Sequence, residues 1–248
     1  NNGTMTVQDV LLDNTGQFLA LTLNTNNFTA TTSSLLTHEF TNTSTIYRQL
    51  LTSTGTISID ATSTIQADGR GLLTGWTSNG SSGQTFWAGD RSGGSHGGRG
   101  GGQDNGLDGS PSPYGSIPQP TEPGSGGGSN SGGRGGGVLK IIANNFTHNG
   151  VISMRGVSGT YAGGAGGSIW IITTGTVSGS GTIRTNGGNS VWTGNQNGAG
   201  GGGRVSFAYN SSVSGNSSVN LVFQAFGGIM SGNDIQAERG GAGTVYIE

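Results

Sequence analysis

Glycine is distributed through this chain in a way that restricts the fold more than any other feature. Four glycine-led segments share one pattern: "GVLKIIA" from Gly137, "GSIWIIT" from Gly167, "GRVSFAY" from Gly203 and "GTVYIE" from Gly243. Each carries apolar residues two and four positions after its glycine, as the pairs Leu139/Ile141, Ile169/Ile171, Val205/Phe207 and Val245/Ile247. A period of two is the signature of a β-strand buried on one face. The opening glycines lie 30, 36 and 40 residues apart, so insertions vary while the strand is kept. A second strand type follows at a short interval, as "GVISMRG" from Gly150, "GTIRTNGG" from Gly181 and the variant "SVNLVFQAFGG" from Ser218. "TISIDATSTIQADGRG", from Thr56, reads as two short strands. Residues 7–23 read as two strands rather than a helix, because Asp13-Asn14-Thr15-Gly16 is a turn signal.

Composition decides between order and disorder. Fifty-three of the 248 residues are glycine, about three times the ordinary share of ~7%. Only 9% are charged and the net charge is −2, whereas disordered chains carry high charge and few β-branched residues. This chain is rich in Thr, Ile and Val. It has no cysteine, so neither a disulfide framework nor thiol chemistry is available. No apolar run reaches the ~20 residues of a membrane-spanning helix, so membrane insertion is not expected. The opening "NNGTMTV" lacks an initiator Met and a signal-peptide pattern, which is expected of a processed chain or a fragment whose secretion signal lay elsewhere.

Strands recurring every 30–40 residues fit a propeller, a sandwich or a parallel β-helix. A propeller blade needs four strands per repeat and only two or three are found. A sandwich does not explain the constant strand openings. The predicted fold is therefore all-β: a right-handed parallel β-helix, or solenoid, with ordered Gly-rich insertions. Residues 1–54 are expected to form N-terminal coils or a cap. Residues 55–248 are expected to form the Gly-rich β-helix, with a long excursion over 69–136, all in one continuous domain. Leu139, Ile169, Val205 and Val245 would stack as one interior ladder. On the opposite side Lys140, Trp170, Ser206 and Tyr246 would share an outer face. Trp170 and Tyr246 are the candidate carbohydrate contacts, the competing expectation being that an excursion covers the indole.

The combination "GGRGGG … GGAGGSIWI … GAGGGGRVSF … GGAGTVYIE" resembles Gly-rich right-handed β-helix repeats in very large extracellular proteins of protists and bacteria. The resemblance covers roughly residues 55–248. It implies a secreted or surface-displayed structural or adhesive module, and it brings no catalytic residues. The glycine runs also resemble the polyglycine II assemblies of some phage tail-tip adhesins and of a Gly-rich antifreeze protein. Runs at 92–102, 124–137, 162–167, 198–203 and 240–243 would pack side by side with backbone groups bonding between them; loops pinned individually to the strands are the alternative. The arginines of the two "GGRGGG" copies, Arg99 and Arg134, are expected to pin nearby carbonyls.

Other chemistries are weakly supported. Three spread arginines in an acidic chain do not make an RNA-binding tail, so no nucleic-acid partner is expected. No Gly-Lys-Ser/Thr follows the glycines, so they form no phosphate loop. Asp104, Asn105 and Asp108 offer hard oxygen ligands as a weak calcium candidate, a polar turn being the favoured expectation; no cofactor is otherwise expected. His38, His96 and His148 lack metal-ligand spacing and are expected at the surface. The acids are scattered, so catalysis is not expected; the alternative is a polysaccharide-cleaving site in which Asp60 and Asp68 meet across coils. Threonine-rich stretches leave ice binding as a further alternative. Asn2, Asn27, Asn42, Asn79, Asn145, Asn210 and Asn216 open Asn-x-Ser/Thr sequons and are N-glycan candidates in a secreted protein. "GTVYIE" closes on a strand, from which end-to-end or lateral assembly with copies or neighbouring modules is expected.

Overall fold

The computed structural model describes residues 4–13, 17–19, 21–78, 84–86, 91–102, 110–128, 131–193, 197–213, 215–216, 220–231 and 239–248. Among them the regular structure is all strand: β1 (Thr4–Thr6), β2 (Asp9–Leu12), β3 (Gln17–Leu19), β4 (Thr22–Thr25), β5 (Asn27–Ala30), β6 (Leu35–Thr37), β7 (Gln49–Ile59), β8 (Thr64–Gln66), β9 (Trp76–Ser78), β10 (Gln84–Phe86), β11 (Val138–His148), β12 (Val151–Ser153), β13 (Ser168–Thr173), β14 (Val177–Ser178), β15 (Thr182–Arg184), β16 (Arg204–Tyr209), β17 (Val222–Gln224) and β18 (Thr244–Ile247). No helix among the described residues is long and apolar enough to cross a membrane.

Two parallel sheets account for nearly all of these strands. The larger runs β1-β4-β7-β11-β13-β16-β18, with β2, β5 and β14 alongside; the smaller runs β3-β6-β8-β12-β15-β17. From β4 onward the main path of each sheet gains one strand as the chain advances, so each of these strands pairs with its counterpart 28–40 residues away or, across the long excursion, about 90. The eleven-residue strands β7 and β11 each span two shorter partners. The first half of β7 pairs with β4 and its second half with β5; β11 divides likewise between β13 and β14. A register shift between Ala143 and Asn145 marks the division. β2 ends at Leu12 and β3 begins at Gln17, and Asn14, Thr15 and Gly16 of the turn signal lie outside the described residues. Residues 4–54 lack glycine-led strands, yet they continue both sheets, through β4 and β5 on β7 and β6 on β8.

The alternating side chains stack as predicted. Gln49, Leu139, Ile169, Val205 and Val245 are register partners in successive strands, and so are Leu23, Leu51, Ile141, Ile171, Phe207 and Ile247. Leu36, Ile65, Ile152, Ile183 and Phe223 form the matching row of the smaller sheet. Leu139, Ile169, Val205, Ile65, Ile152 and Ile183 are all 0% exposed. Each such side chain contributes about 1.5–3 kcal/mol, and together they make one continuous core. Val245, on the edge strand of the same row, is 42% exposed.

The glycine runs are ordered by one another. Gly93 N–H donates to Gly101 O at 2.8 Å, Gly101 N–H to Ala199 O at 2.9 Å, Gly94 N–H to Gly163 O at 2.9 Å and Gly201 N–H back to Gly94 O at 2.9 Å. Gly127 donates to Gly133, Gly133 to Ala162 and Gly136 to Ala165. Each strand-opening glycine is tied to the smaller sheet in the same way. Gly137, Gly167, Gly203 and Gly243 donate to the carbonyls of Ala67, Met154, Thr185 and Ala225 at 2.8, 2.7, 2.7 and 2.7 Å.

The absent Cβ is what permits this packing. A Cβ on Gly135 would fall within the carbonyl group of Gly124, and one on Gly200 within that of Gly164. Gly215 is glycine for another reason: its φ is +92° and nothing lies within 4 Å of its missing Cβ. The two positions therefore separate on substitution. Gly135→Ala is expected to cost at least the ~3 kcal/mol at the top of the usual overpacking range, and Gly215→Ala only the ~1–2 kcal/mol of a left-handed backbone. Denaturant titration of both variants measures this; equal small losses would mean that the runs do not pack as described.

Candidate functional site

The outer face of the larger sheet is the strongest candidate for contact with a ligand. Its central row runs Thr22, Leu50, Lys140, Trp170, Ser206 and Tyr246, each the register partner of the next. Alternation fixes this row outward, because its neighbours Leu139, Ile141, Ile169 and Ile171 are fully buried. Trp170 and Tyr246 are thus on one face, two strands apart, which is about 10 Å at the usual strand spacing.

They do not form one open platform. The Lys140 ammonium sits 3.6 Å from the centroid of the Trp170 ring, in a cation–π contact worth about 0.5–2 kcal/mol. Burial holds the pKa of Lys140 below its ordinary value. Between the two aromatics, Ser206 Oγ donates to the Pro118 carbonyl at 2.8 Å, bringing the long excursion onto the row. The indole stays half-buried rather than covered, with the Lys140 ammonium over its ring. Ile142 and Ile172 are register partners that are also half-exposed, and they widen the apolar strip beside Lys140 and Trp170.

The arginines act as pins. Arg134 Nε donates to Gly69 O at 3.0 Å, and its Nη2 donates to the carbonyls of Thr41 and Gly71. Arg134 and Arg70 both lie over Phe40, at 5.2 and 4.2 Å from the ring centroid. Arg99 reaches the Ser110 carbonyl. Arg204 Nε donates to the Tyr114 carbonyl at 2.9 Å, and Nη1 to Thr244. A guanidinium whose donors serve backbone carbonyls is poorly placed to bind phosphate.

The carboxylates are similarly committed. Asp60 caps the turn between β7 and β8, accepting from Ser63 and Thr62 and, from a neighbouring pass, from Thr32 N–H. Burial pushes its pKa up, but these bonds outweigh it and hold the group at about 2. Asp68 accepts from Ser153 Oγ and pairs with Arg155 at 2.9 Å. The two serve separate turns. No group of three or more His, Cys, Asp or Glu side chains placed to hold a metal occurs among the described residues. Asp104, Asn105 and Asp108 lie outside the described residues, as do Asn2 and Asn79.

The histidines correct the sequence reading, which places them at the surface: His38, His96 and His148 are all 0% exposed. His38 Nδ1–H donates to Glu39 O, and its Nε2 accepts from Val138 N–H at 3.3 Å, which fixes a neutral tautomer. His96 donates from Nδ1 to Gly166 O within the glycine bundle. His148 donates from Nε2 to Thr182 O and stacks on Phe146. Burial lowers their pKa values to about 4, 3 and 4. Small polar residues flanked by glycine or strand gave no sequence signal of burial.

The described sequon asparagines differ in setting. Asn27 and Asn145 accept backbone N–H groups of the adjacent pass, from Thr56 and Thr176. Asn42 and Asn210 are exposed and accept from N–H groups two residues on. Asn216 is 2% exposed; its Nδ2 donates to Gly175 O and Asn210 O, and its Oδ1 accepts from Val177 N–H.

No protein-family model, curated protein or solved structure matches this chain.

Two predictions follow from the buried polar groups. The histidines have folded pKa values below the ordinary 6.5, so the unfolded chain binds more protons as pH falls beneath that value. Stability is complete above about pH 6.5 and declines toward pH 4, with each histidine contributing at most about 1.4 kcal/mol per pH unit. Denaturation midpoints measured from pH 8 to 4.5 should be level and then fall; a level profile throughout would place the imidazoles in solvent. On expression through a glycosylating secretory route, glycopeptide mapping should find Asn216 unmodified, because a glycan replaces one of the two Nδ2 hydrogens that bond Gly175 O and Asn210 O and has no room at a buried site. Full occupancy of Asn216 in folded protein would refute its burial.

Proposed function

We propose that this chain is a non-enzymatic extracellular structural or adhesive module, a segment of a larger surface protein or filament. In this reading the two sheets are walls of a right-handed parallel β-helix, and the glycine runs pack against it as polyglycine II. The observation that carries the proposal is the use of the chemically active side chains. Arg48, Arg70, Arg99, Arg134 and Arg204 bond backbone carbonyls, Asp60 caps a turn, Asp68 ties Ser153 and Arg155, and the histidines are buried and neutral. Such a chain invests its polar groups in a stiff repeat, needs no cofactor, and acts through its surface. Its partners are copies or neighbouring modules of the same assembly, not nucleic acid.

A second reading, glycan binding on the outer face, is favoured by the half-exposed Trp170 and the adjoining Ile142 and Ile172. Aromatic rings with apolar surroundings suit the C–H faces of sugars. Tyr246 would act as a separate contact beyond Ser206. Ice binding is less well supported, since the outer row mixes Thr, Leu, Lys, Trp, Ser and Tyr and offers no repeated threonine array.

Imaging of the native protein tests the first reading. It should lie at the cell surface or in extracellular material, and an intracellular location would overturn the proposal. Incubation with plant and algal polysaccharides should release neither reducing ends nor unsaturated uronates. If the second reading holds, Trp170→Ala should reduce binding to any glycan retained on an array by tenfold or more at a temperature where circular dichroism shows the variant still folded; equal retention would remove the outer face from consideration.

A further inference from the structure

Three series of backbone hydrogen bonds repeat from pass to pass and stop at the edge made by β17, β18 and the glycines beside them. Gly136, Gly166 and Gly202, each just before a strand-opening glycine, donate to Ala165, Gly201 and Gly241 of the following run, at 2.8, 2.9 and 2.9 Å. Ala242 is the next member of that series. Ala67, Met154 and Thr185 donate to Ser153, Arg184 and Gln224, at 2.9, 2.9 and 2.8 Å; Ala225 is next. Gly69, Gly156 and Gly187 donate to Arg155, Asn186 and Phe226, at 3.0, 2.9 and 2.8 Å; Gly227 is next. Among the described residues the N–H groups of Ala242, Ala225 and Gly227 have no acceptor. The carbonyl of Gly243 is in the same position: its equivalents on Gly137, Gly167 and Gly203 accept from Ser168, Arg204 and Thr244.

The side chains stop at the same edge. Val205 and Phe207 are 0% and 2% exposed, whereas their register partners Val245 and Ile247 are 42% and 52% exposed. An unpaired parallel edge with exposed apolar residues is a template for strand addition.

We infer that this edge is a docking site for a parallel strand led by a glycine run, a segment with this chain's own chemistry of Gly-Gly-Gly-Gly-polar-apolar-polar-apolar. The positions of the free donors argue for that occupant. A strand alone would cover Val245 and Ile247 but leave Ala242 unmatched, because the acceptors of its series, Ala165, Gly201 and Gly241, lie in the glycine runs. The opposite edge of a second copy, β1 and β3, has no glycine run beside it and would do only that. The glycines are required because each interior run is approached by backbone where a Cβ would stand. The proposal rests on the repeat reading above, but not on where the protein is found.

The test uses the whole chain and a fluorescent peptide of residues 198–209, "GAGGGGRVSFAY". Fluorescence anisotropy should show saturable binding. A peptide with Gly200 to Gly203 replaced by alanine keeps the apolar strand and should bind at least tenfold more weakly. Ala242→Pro removes one donor, and Val245→Lys charges the edge; each should weaken binding of the parent peptide severalfold while leaving the denaturation midpoint in place. Equal binding of both peptides would show nonspecific apolar adhesion and overturn the inference. So would absence of binding, or self-association of the chain that Val245→Lys abolishes and the peptide does not compete with. None of these results bears on the imaging experiment, so the two readings fail separately.

Discussion

The structure depends on backbone-to-backbone hydrogen bonds between glycine runs. A peptide group can approach another from the side only where no Cβ intervenes, and at Gly135, Gly164, Gly200 and Gly203 a neighbouring carbonyl occupies that space. Ordering glycine costs roughly 0.5–1 kcal/mol per residue more than ordering alanine, and a net hydrogen bond returns roughly 0.5–1.5 kcal/mol. The two are close enough that a glycine bundle does not hold itself together. The sheets must set the spacing. They do so through the bonds from Gly137, Gly167, Gly203 and Gly243 to the strands of the smaller sheet, which recur with nearly constant length while the intervening insertions vary.

This division of labour explains the unusual use of charge. The bundle presents many carbonyls, and few side chains are available to satisfy those that other runs do not reach. Arginine is suited to the task because its planar fork has five donors. Arg134 serves three carbonyls, and Arg204 joins the excursion at Tyr114 to the edge strand at Thr244.

The strands were legible because alternation is a local property. Leu139/Ile141 and their equivalents announce a buried face, and register follows when the same pattern recurs. The outer row of Lys140, Trp170, Ser206 and Tyr246 follows from the same alternation. What lies over that row was not legible. The Ser206–Pro118 bond joins residues 88 positions apart, and the Lys140–Trp170 contact depends on which of several outward side chains turn toward each other. Burial of His38, His96 and His148 was missed for a related reason. Each is enclosed by backbone from other passes, such as Val138 N–H on His38 and Gly166 O on His96, and an isolated polar residue has no periodicity from which burial can be read.

The sequons illustrate how a functional motif can arise from packing. "NFT" occurs twice, at Asn27-Phe28-Thr29 and Asn145-Phe146-Thr147. Both copies align on the same strand, since Phe28 and Phe146 are each register partners of Ile57. In both, the asparagine Oδ1 accepts a backbone N–H from the adjacent pass, the phenylalanine is 0% exposed in the core, and the threonine takes the opposite face. Each residue type suits its place in the stack, a short amide to bridge passes, an aromatic to fill the interior and a polar residue for the outer surface, while the strand between the two copies carries Thr56, Ile57 and Ser58 at the same positions. The three together spell a glycosylation signal. Its recurrence is compatible with the packing at these positions, and attachment of a glycan is an independent question decided by the freedom of each Nδ2.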